Sequence, residues 1–323
     1  VDVSRVAAVD CGTNSIRLLI ADPVDPGSIA GSAGGRLRDV HREMRIVRLG
    51  QGVDATGEFA PEALARTRAA LVDYAALMRD HRVERVRMVA TSAARDVANR
   101  EAFFAMTAEV LGEVVPGAVA EVISGTEEAE LSYRGAVGEL DPDTGPFVVV
   151  DLGGGSTEVV VGRVEVEASY SADIGCVRLT ERCLHSDPPT AEEISAAREA
   201  VRDGLAAAFH AVPVEDARTW VGVAGTMTTL AALGAKMTTY DPDAIHLSRV
   251  GFTRLREVCD ELLTMTRAQR AALGPMHEGR VDVIGGGAII VEELADALGT
   301  RAGLDELVVS EHDILDGIAL SVS

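Results

Sequence analysis

The chain has 323 residues, with 51 acidic against 30 basic side chains and a formal net charge of -21. A field of that sign repels polyanions, which argues against nucleic acid or an anionic membrane as a partner, and no run approaches the roughly 18 apolar residues of a membrane span. Aromatic residues make up 3% and hydrophobic residues 47%, so Ala, Val and Leu must fill the cores, and the length suffices for two domains. Cys11, Cys176, Cys183 and Cys259 are dispersed, without a Cys-x-x-Cys pair or a His cluster at zinc spacing. That pattern, with no charged-then-apolar leader, leads us to expect a reducing cytosol.

In chain order, Val6 to Val9 reads as a short buried strand closed by Asp10. Gly12, Thr13, Asn14 and Ser15 form a small, hydroxyl-rich turn, and β-branched character resumes at Ile16. Residues 23–35 are rich in Gly, Pro and Ser and read as a surface loop. Residues 36–49 read as a strand carrying Arg36, Arg38, His41, Arg42, Arg45 and Arg48. That basic run is either an edge strand protected by charge or an anion-binding rim. Residues 61–80 have helical periodicity with Pro61 in the first turn. Residues 86–90 form a buried-type strand that runs into Thr91, Ser92 and Arg95, a hydroxyl-led helix start of a type that binds anions.

A further short strand at 120–123 leads to Ser124-Gly125-Thr126-Glu127-Glu128-Ala129. Ser124 and Glu127 have capping-box spacing. If Glu127 turns back on the cap, Glu128 points elsewhere, as a first-turn acid favoured by the helix dipole or as a general base. Residues 141–146 are turn-rich and mark the expected domain boundary.

Phe147 to Val150 then repeats the opening arrangement: strand, Asp151, a turn of Gly153, Gly154, Gly155, Ser156 and Thr157, then Glu158 and a second strand. Taken alone, the three glycines fit a hairpin turn as well as a phosphate loop. Two copies in one chain point to an internal duplication. Strands at 164–174, a helix at 191–209 and a strand at 220–223 follow. Gly225 and Thr226 open another helix, a third place where backbone donors can meet an anion. Residues 253–263 and 280–298 read as helices; the second contains Gly285, Gly286 and Gly287, which either start it or receive a closely packed neighbour. A strand at 306–309 and a terminal amphipathic helix from Ile314 complete the chain.

The motifs at Asp10 to Ser15, Ile123 to Ala129, Asp151 to Glu158 and Ala224 to Thr226, in this order, resemble the exopolyphosphatase/guanosine pentaphosphate phosphohydrolase (Ppx/GppA) family of the actin/sugar-kinase/Hsp70 superfamily. The resemblance spans almost the whole chain. It implies an α/β fold of duplicated ribonuclease H-like, actin-like domains around an interdomain cleft. The expected domains are 1–135 with a returning 310–323, and 136–309. The family implies release of terminal phosphate from inorganic polyphosphate or guanosine pentaphosphate with Mg²⁺. By motif, the catalytic residue falls on Glu128 and the metal carboxylates on Asp151 and Glu158. The phosphate contacts fall on Gly12, Thr13, Asn14, Ser15, Arg95, Gly153, Gly154, Gly155, Ser156 and Thr157, with Gly225 and Thr226 at the third turn.

Two departures stand out. Thr13 replaces a common serine and keeps the hydroxyl. The usual Ser-Asp-Gly-Ala-Leu-Arg-Glu-Gly becomes Ser310-Glu311-His312-Asp313-Ile314-Leu315-Asp316-Gly317, which loses the Arg-Glu pair. The chain also ends without the further helical domains of longer members, so short polyphosphate or a nucleotide is the expected substrate. A homodimer is carried as the expected assembly. The alternatives are a superfamily kinase and a non-catalytic sensor of guanosine polyphosphates; retention of Glu128 and Asp151 speaks against the sensor.

Overall fold

The computed structural model describes residues 4–24, 37–95 and 97–322. They form two compact units, Val1–Leu140 with Ile314–Ser323, and Asp141–Asp313.

The first unit is built on a five-stranded sheet of β1 (Val6–Cys11), β2 (Ser15–Pro23), β3 (Leu37–Ile46), β4 (Arg85–Ala90) and β5 (Ala120–Val122), in the order β3-β2-β1-β4-β5. β1 pairs antiparallel with β2 and parallel with β4. Both faces of β1 are covered, which is why its sequence is an uninterrupted small-apolar run and does not alternate. Ala7, Val9 and Cys11 pack with residues of the helices Pro61–Asp80 and Arg100–Gly112. Val6 and Ala8 face the other way, toward Leu131 of the helix Gly125–Val137 and Ile314, Leu315 and Ile318 of the terminal helix Ile314–Val322. Asp10 shares the face of Val6 and Ala8 by the period-2 rule. Sequence reading left out the helix Arg100–Gly112, whose apolar positions show little amphipathic contrast.

The second unit repeats the plan with β6 (Phe147–Leu152), β7 (Thr157–Gly162), β8 (Val166–Ala172), β9 (Thr219–Val223), β10 (Ser248–Gly251) and β11 (Glu306–Val309), in the order β10-β11-β9-β6-β7-β8. Without β10, which adds antiparallel to β11, the order and senses match the first sheet strand for strand. β6 runs antiparallel to β7 and parallel to β9, and β9 is parallel to β11. The duplication expected from the two Asp-turn motifs is therefore a duplication of whole sheets.

One open pair of readings is decided and one local expectation is corrected. Arg36 and residues 25–35 lie outside the described residues, as does Asp96. The basic run on β3 is internally compensated: Arg38 pairs with Asp22, Arg42 with Asp39 and Asp316, and Arg45 with Glu43 and Asp73. It is a charged edge strand, with its guanidinium groups committed to carboxylates. The helix after β4 is a single turn, Ser92–Arg95, so Arg95 ends it and no long helix start faces an anion there.

Gly285, Gly286 and Gly287 fulfil both readings offered for them. They form the first turn of the helix Ile284–Ala302, and a Cβ on Gly286 would lie 2.7 Å from the Cys176 carbonyl oxygen. The terminal helix is packed as tightly: a Cβ on Gly317 would lie 2.0 Å from the Leu131 carbonyl oxygen. Gly317→Ala must push the terminal helix off the helix Gly125–Val137. The expected loss is about 1–3 kcal/mol of unfolding free energy, to be read from urea denaturation; an unchanged midpoint would show that the two helices separate without cost.

Candidate functional site

Glu128 is placed by its helix start. Ser124 is the N-cap and its Oγ accepts from the Glu127 backbone N–H at 3.2 Å. The reciprocal half of the capping box does not form. Glu127 accepts from Arg87 Nη2 at 2.6 Å instead, so it serves an outward ion pair. Glu128, one residue on, turns inward and is 7% exposed.

There, Arg95 Nη1 donates to Glu128 Oε2 at 2.6 Å. Burial pushes the Glu128 carboxyl up to about 7, with the charge and hydrogen bond of Arg95 opposing, the charge of Asp10 adding to the rise and a hydrogen bond from Thr91 opposing it. Asp10 is itself buried and accepts from Arg17 Nε at 2.9 Å and Nη2 at 2.7 Å. Thr91 Oγ1 lies 3.9 Å from where a Cβ on Gly12 would stand, so the first turn borders this cluster. In that turn Gly12 N–H donates to the Ser15 carbonyl at 2.9 Å. The carbonyls of Thr13 and Asn14 are taken by backbone donors of Gly50, Val47 and Arg48, so the loop is fixed from behind.

The second unit builds its own turn in the same way. Gly153 N–H donates to the Ser156 carbonyl at 3.0 Å, the same turn as Gly12 to Ser15. The carbonyls of Gly153 and Gly154 accept from the N–H groups of Cys176, Val177 and Arg178, at the start of the helix Cys176–Cys183. Gly175 makes this approach possible, because a Cβ there would come within 2.4 Å of the Gly154 carbonyl carbon. Ser156 is buried, and Thr157 gives its hydroxyl proton to the Ile174 carbonyl at 2.5 Å. Thr157 therefore braces the loop.

Asp151 and Glu158 are direct cross-strand partners in the β6–β7 register. Opposed residues of an antiparallel pair share a face, with their Cβ atoms about 4.5–5.5 Å apart, and like charges so placed repel. Both are buried, and Ser171 Oγ donates to Glu158 Oε1 at 2.6 Å. Two adjacent carboxylates withdrawn from water fit a hard divalent cation in donor chemistry and in charge.

Gly225 and Thr226 start the helix Ala224–Gly234, after a left-handed Ala224. The Arg280 guanidinium stands where a side chain on Gly225 would go, 2.4 Å from the constructed Cβ, and donates to Thr229 Oγ1 at 3.0 Å. Sequence reading passed over Arg280, which sits 55 positions away in an unremarkable stretch. Gly225 was the available signal, since a glycine at a helix start often marks a close neighbour.

A family model described as the Ppx/GppA phosphatase family matches residues 28–322. The chain is 71% identical over 321 residues to "Exopolyphosphatase 2" of Mycobacterium tuberculosis, covering 99% of both chains. A solved structure of an exopolyphosphatase-like protein superposes with a TM-score of 0.89 at 40% identity, covering 98% of each chain. The Ppx/GppA family member of Aquifex aeolicus superposes with a TM-score of 0.78 at 32% identity, covering 99% of this chain and 97% of that one.

The buried carboxyl of Glu128 makes a prediction about stability. Its folded value near 7 lies above the ordinary 4.5, so the folded state holds the proton more tightly than the unfolded chain. The resulting stability is full below about pH 4.5 and is lost as pH rises through about 7. Glu128→Gln cannot titrate. Its melting temperature relative to the parent should climb from pH 5 to pH 8; a difference that stays flat would mean that the carboxyl titrates normally.

Proposed function

We propose that this chain, which belongs to the Ppx/GppA phosphatase family, is an exopolyphosphatase that transfers the terminal phosphoryl group of inorganic polyphosphate to water. The observation that carries the mechanism is Glu128: a buried carboxyl held near 7 and aligned by Arg95. A base of that strength is half ionised at neutral pH and is still basic enough to take a proton as water attacks.

In this reading Glu128 Oε accepts the proton of the attacking water while the new P–O bond forms. The bridging P–O bond breaks, and orthophosphate leaves a chain one unit shorter. Glu128 is the acceptor and Arg95 positions its carboxylate, while the Arg95 guanidinium also offers donors to phosphoryl oxygens. The N–H groups of Thr13 to Ser15 and of Gly154 and Gly155 are the proposed backbone contacts to phosphate, Gly12 and Gly153 closing the two turns with their own N–H bonds, and Gly225, Thr226 and Arg280 serve other groups of the anion. Asp151 and Glu158 would hold Mg²⁺ or another divalent cation, which when bound supplies charge neutralisation to the phosphate oxygens.

Support for polyphosphate over guanosine pentaphosphate comes from the near full-length identity to a mycobacterial protein named as an exopolyphosphatase. Cytoplasmic location is part of the same proposal; no helix among the described residues is long and apolar enough to cross a membrane.

Phosphate release should be measured with short polyphosphate, long polyphosphate, guanosine pentaphosphate and ATP, with and without Mg²⁺. Polyphosphate should be turned over with the highest kcat/KM and only with a divalent cation. A higher kcat/KM on guanosine pentaphosphate would overturn the substrate assignment. Glu128→Gln should lower kcat by about 10²–10⁴-fold and leave short-chain polyphosphate binding in place by calorimetry. Near-normal turnover in that variant would remove Glu128 from the mechanism.

A further inference from the structure

The two sheets superpose strand for strand in order, yet their motif carboxylates meet different partners. In the second unit Asp151 stands opposite Glu158. In the first, the equivalent register places Arg17 opposite Asp10, and the two are joined by a two-nitrogen fork at 2.9 and 2.7 Å. The same backbone position thus holds an acid beside an acid in one copy and an acid beside a base in the other. Asp10 is 5% exposed and lies on the sheet face that carries the Glu128 helix. The charge of this second buried carboxylate disfavours ionisation of Glu128.

We propose that Arg17 is a positioning residue for hydrolysis: its two-nitrogen fork holds the Asp10 carboxylate within its own sheet and offsets its charge, so that Glu128 receives the proton of water. The inference deepens the assignment of Glu128 as the base and rests on it. Arg17 reaches Asp10 from β2, where Leu19 and Ala21 pack on the same face. Its side chain is 20% exposed, so the fork is shielded from screening by solvent but not sealed.

The charged groups around Glu128 come from several elements. Arg95 ends the single turn after β4, Asp10 lies on β1 and Arg17 on β2. Thr91 adds an uncharged hydrogen bond. Glu127 is engaged by Arg87 of β4, and Asp316 of the terminal helix is engaged by Arg42 of β3. Both of those acids already have cationic partners. Arg17 is therefore the cation that offsets the Asp10 charge, and its removal leaves that charge uncompensated beside Glu128.

The test follows the Glu128 carboxyl directly, by its ¹³C chemical shift with Glu128→Gln identifying the resonance, and in parallel by the pH profile of kcat/KM. Arg17→Met should raise the Glu128 midpoint by about one pH unit. With the midpoint moving from about 7 to about 8, the ionised fraction at pH 7 drops roughly five-fold. Activity at pH 7 should drop with it and recover in alkali. Arg17→Lys should stay near the parent midpoint. Asp10→Asn should lower the midpoint, and this variant serves in place of Arg17→Met if that protein does not fold. An unchanged midpoint in Arg17→Met, with only a lower melting temperature, would overturn the proposal and make the fork structural. If Glu128→Gln keeps normal turnover, the base assignment fails on its own, whatever Arg17 does to the titration.

Discussion

A glutamate that is 7% exposed and tied to one arginine sets most of the constraints in the first unit. Taking a carboxylate out of water costs several kcal/mol unless a partner compensates. Arg95 compensates only in part, since Glu128 remains well above the usual carboxylate range. That residual cost leaves the carboxyl a stronger base than a fully compensated carboxylate would be. The surroundings must then hold the pair still. The Ser124 cap fixes the helix start, the single turn Ser92–Arg95 delivers the guanidinium, and Gly317 lets the terminal helix close on Leu131, one turn beyond Glu128.

Much of this was legible in the sequence because it is written in local chemistry. Strand, Asp, small-residue turn, strand is a period-2 pattern broken by glycine, and both copies fold as read. The identical hydrogen bonds from Gly12 to Ser15 and from Gly153 to Ser156 show why the wording repeats. The helix Pro61–Asp80 and the S-x-x-E helix start are likewise local signals. The separation of Glu127 from Glu128 was half legible: Glu128 does point elsewhere, but Glu127 leaves the cap for Arg87, a residue 40 positions away.

What the sequence hid was pairing at long range. The arginines of β3 read as a basic patch because their partners, Asp22, Asp73 and Asp316, are distant in the chain. Once paired, they offer little net field to an anion. Asp316 belongs to the segment that departs from the family wording, and its carboxylate ties the terminal helix to β3. Arg280 was hidden for the same reason: the evidence for it lies in Gly225, whose missing side chain leaves space for a guanidinium.

Duplication also gives one chain two different settings for a buried aspartate. Two copies of a strand-turn-strand unit begin with equivalent positions opposite their aspartates. With an acid at that position, as at Glu158, repulsion between the two carboxylates favours a cation. With a base there, as at Arg17, the aspartate is satisfied within its own sheet and no longer calls for an external positive charge. The helix after the fifth-position strand differs as well, and only the first copy places an inward glutamate after it. A single difference in register is enough to give the two aspartates opposite electrostatic surroundings, because the sheet fixes which side chains meet before any ligand arrives.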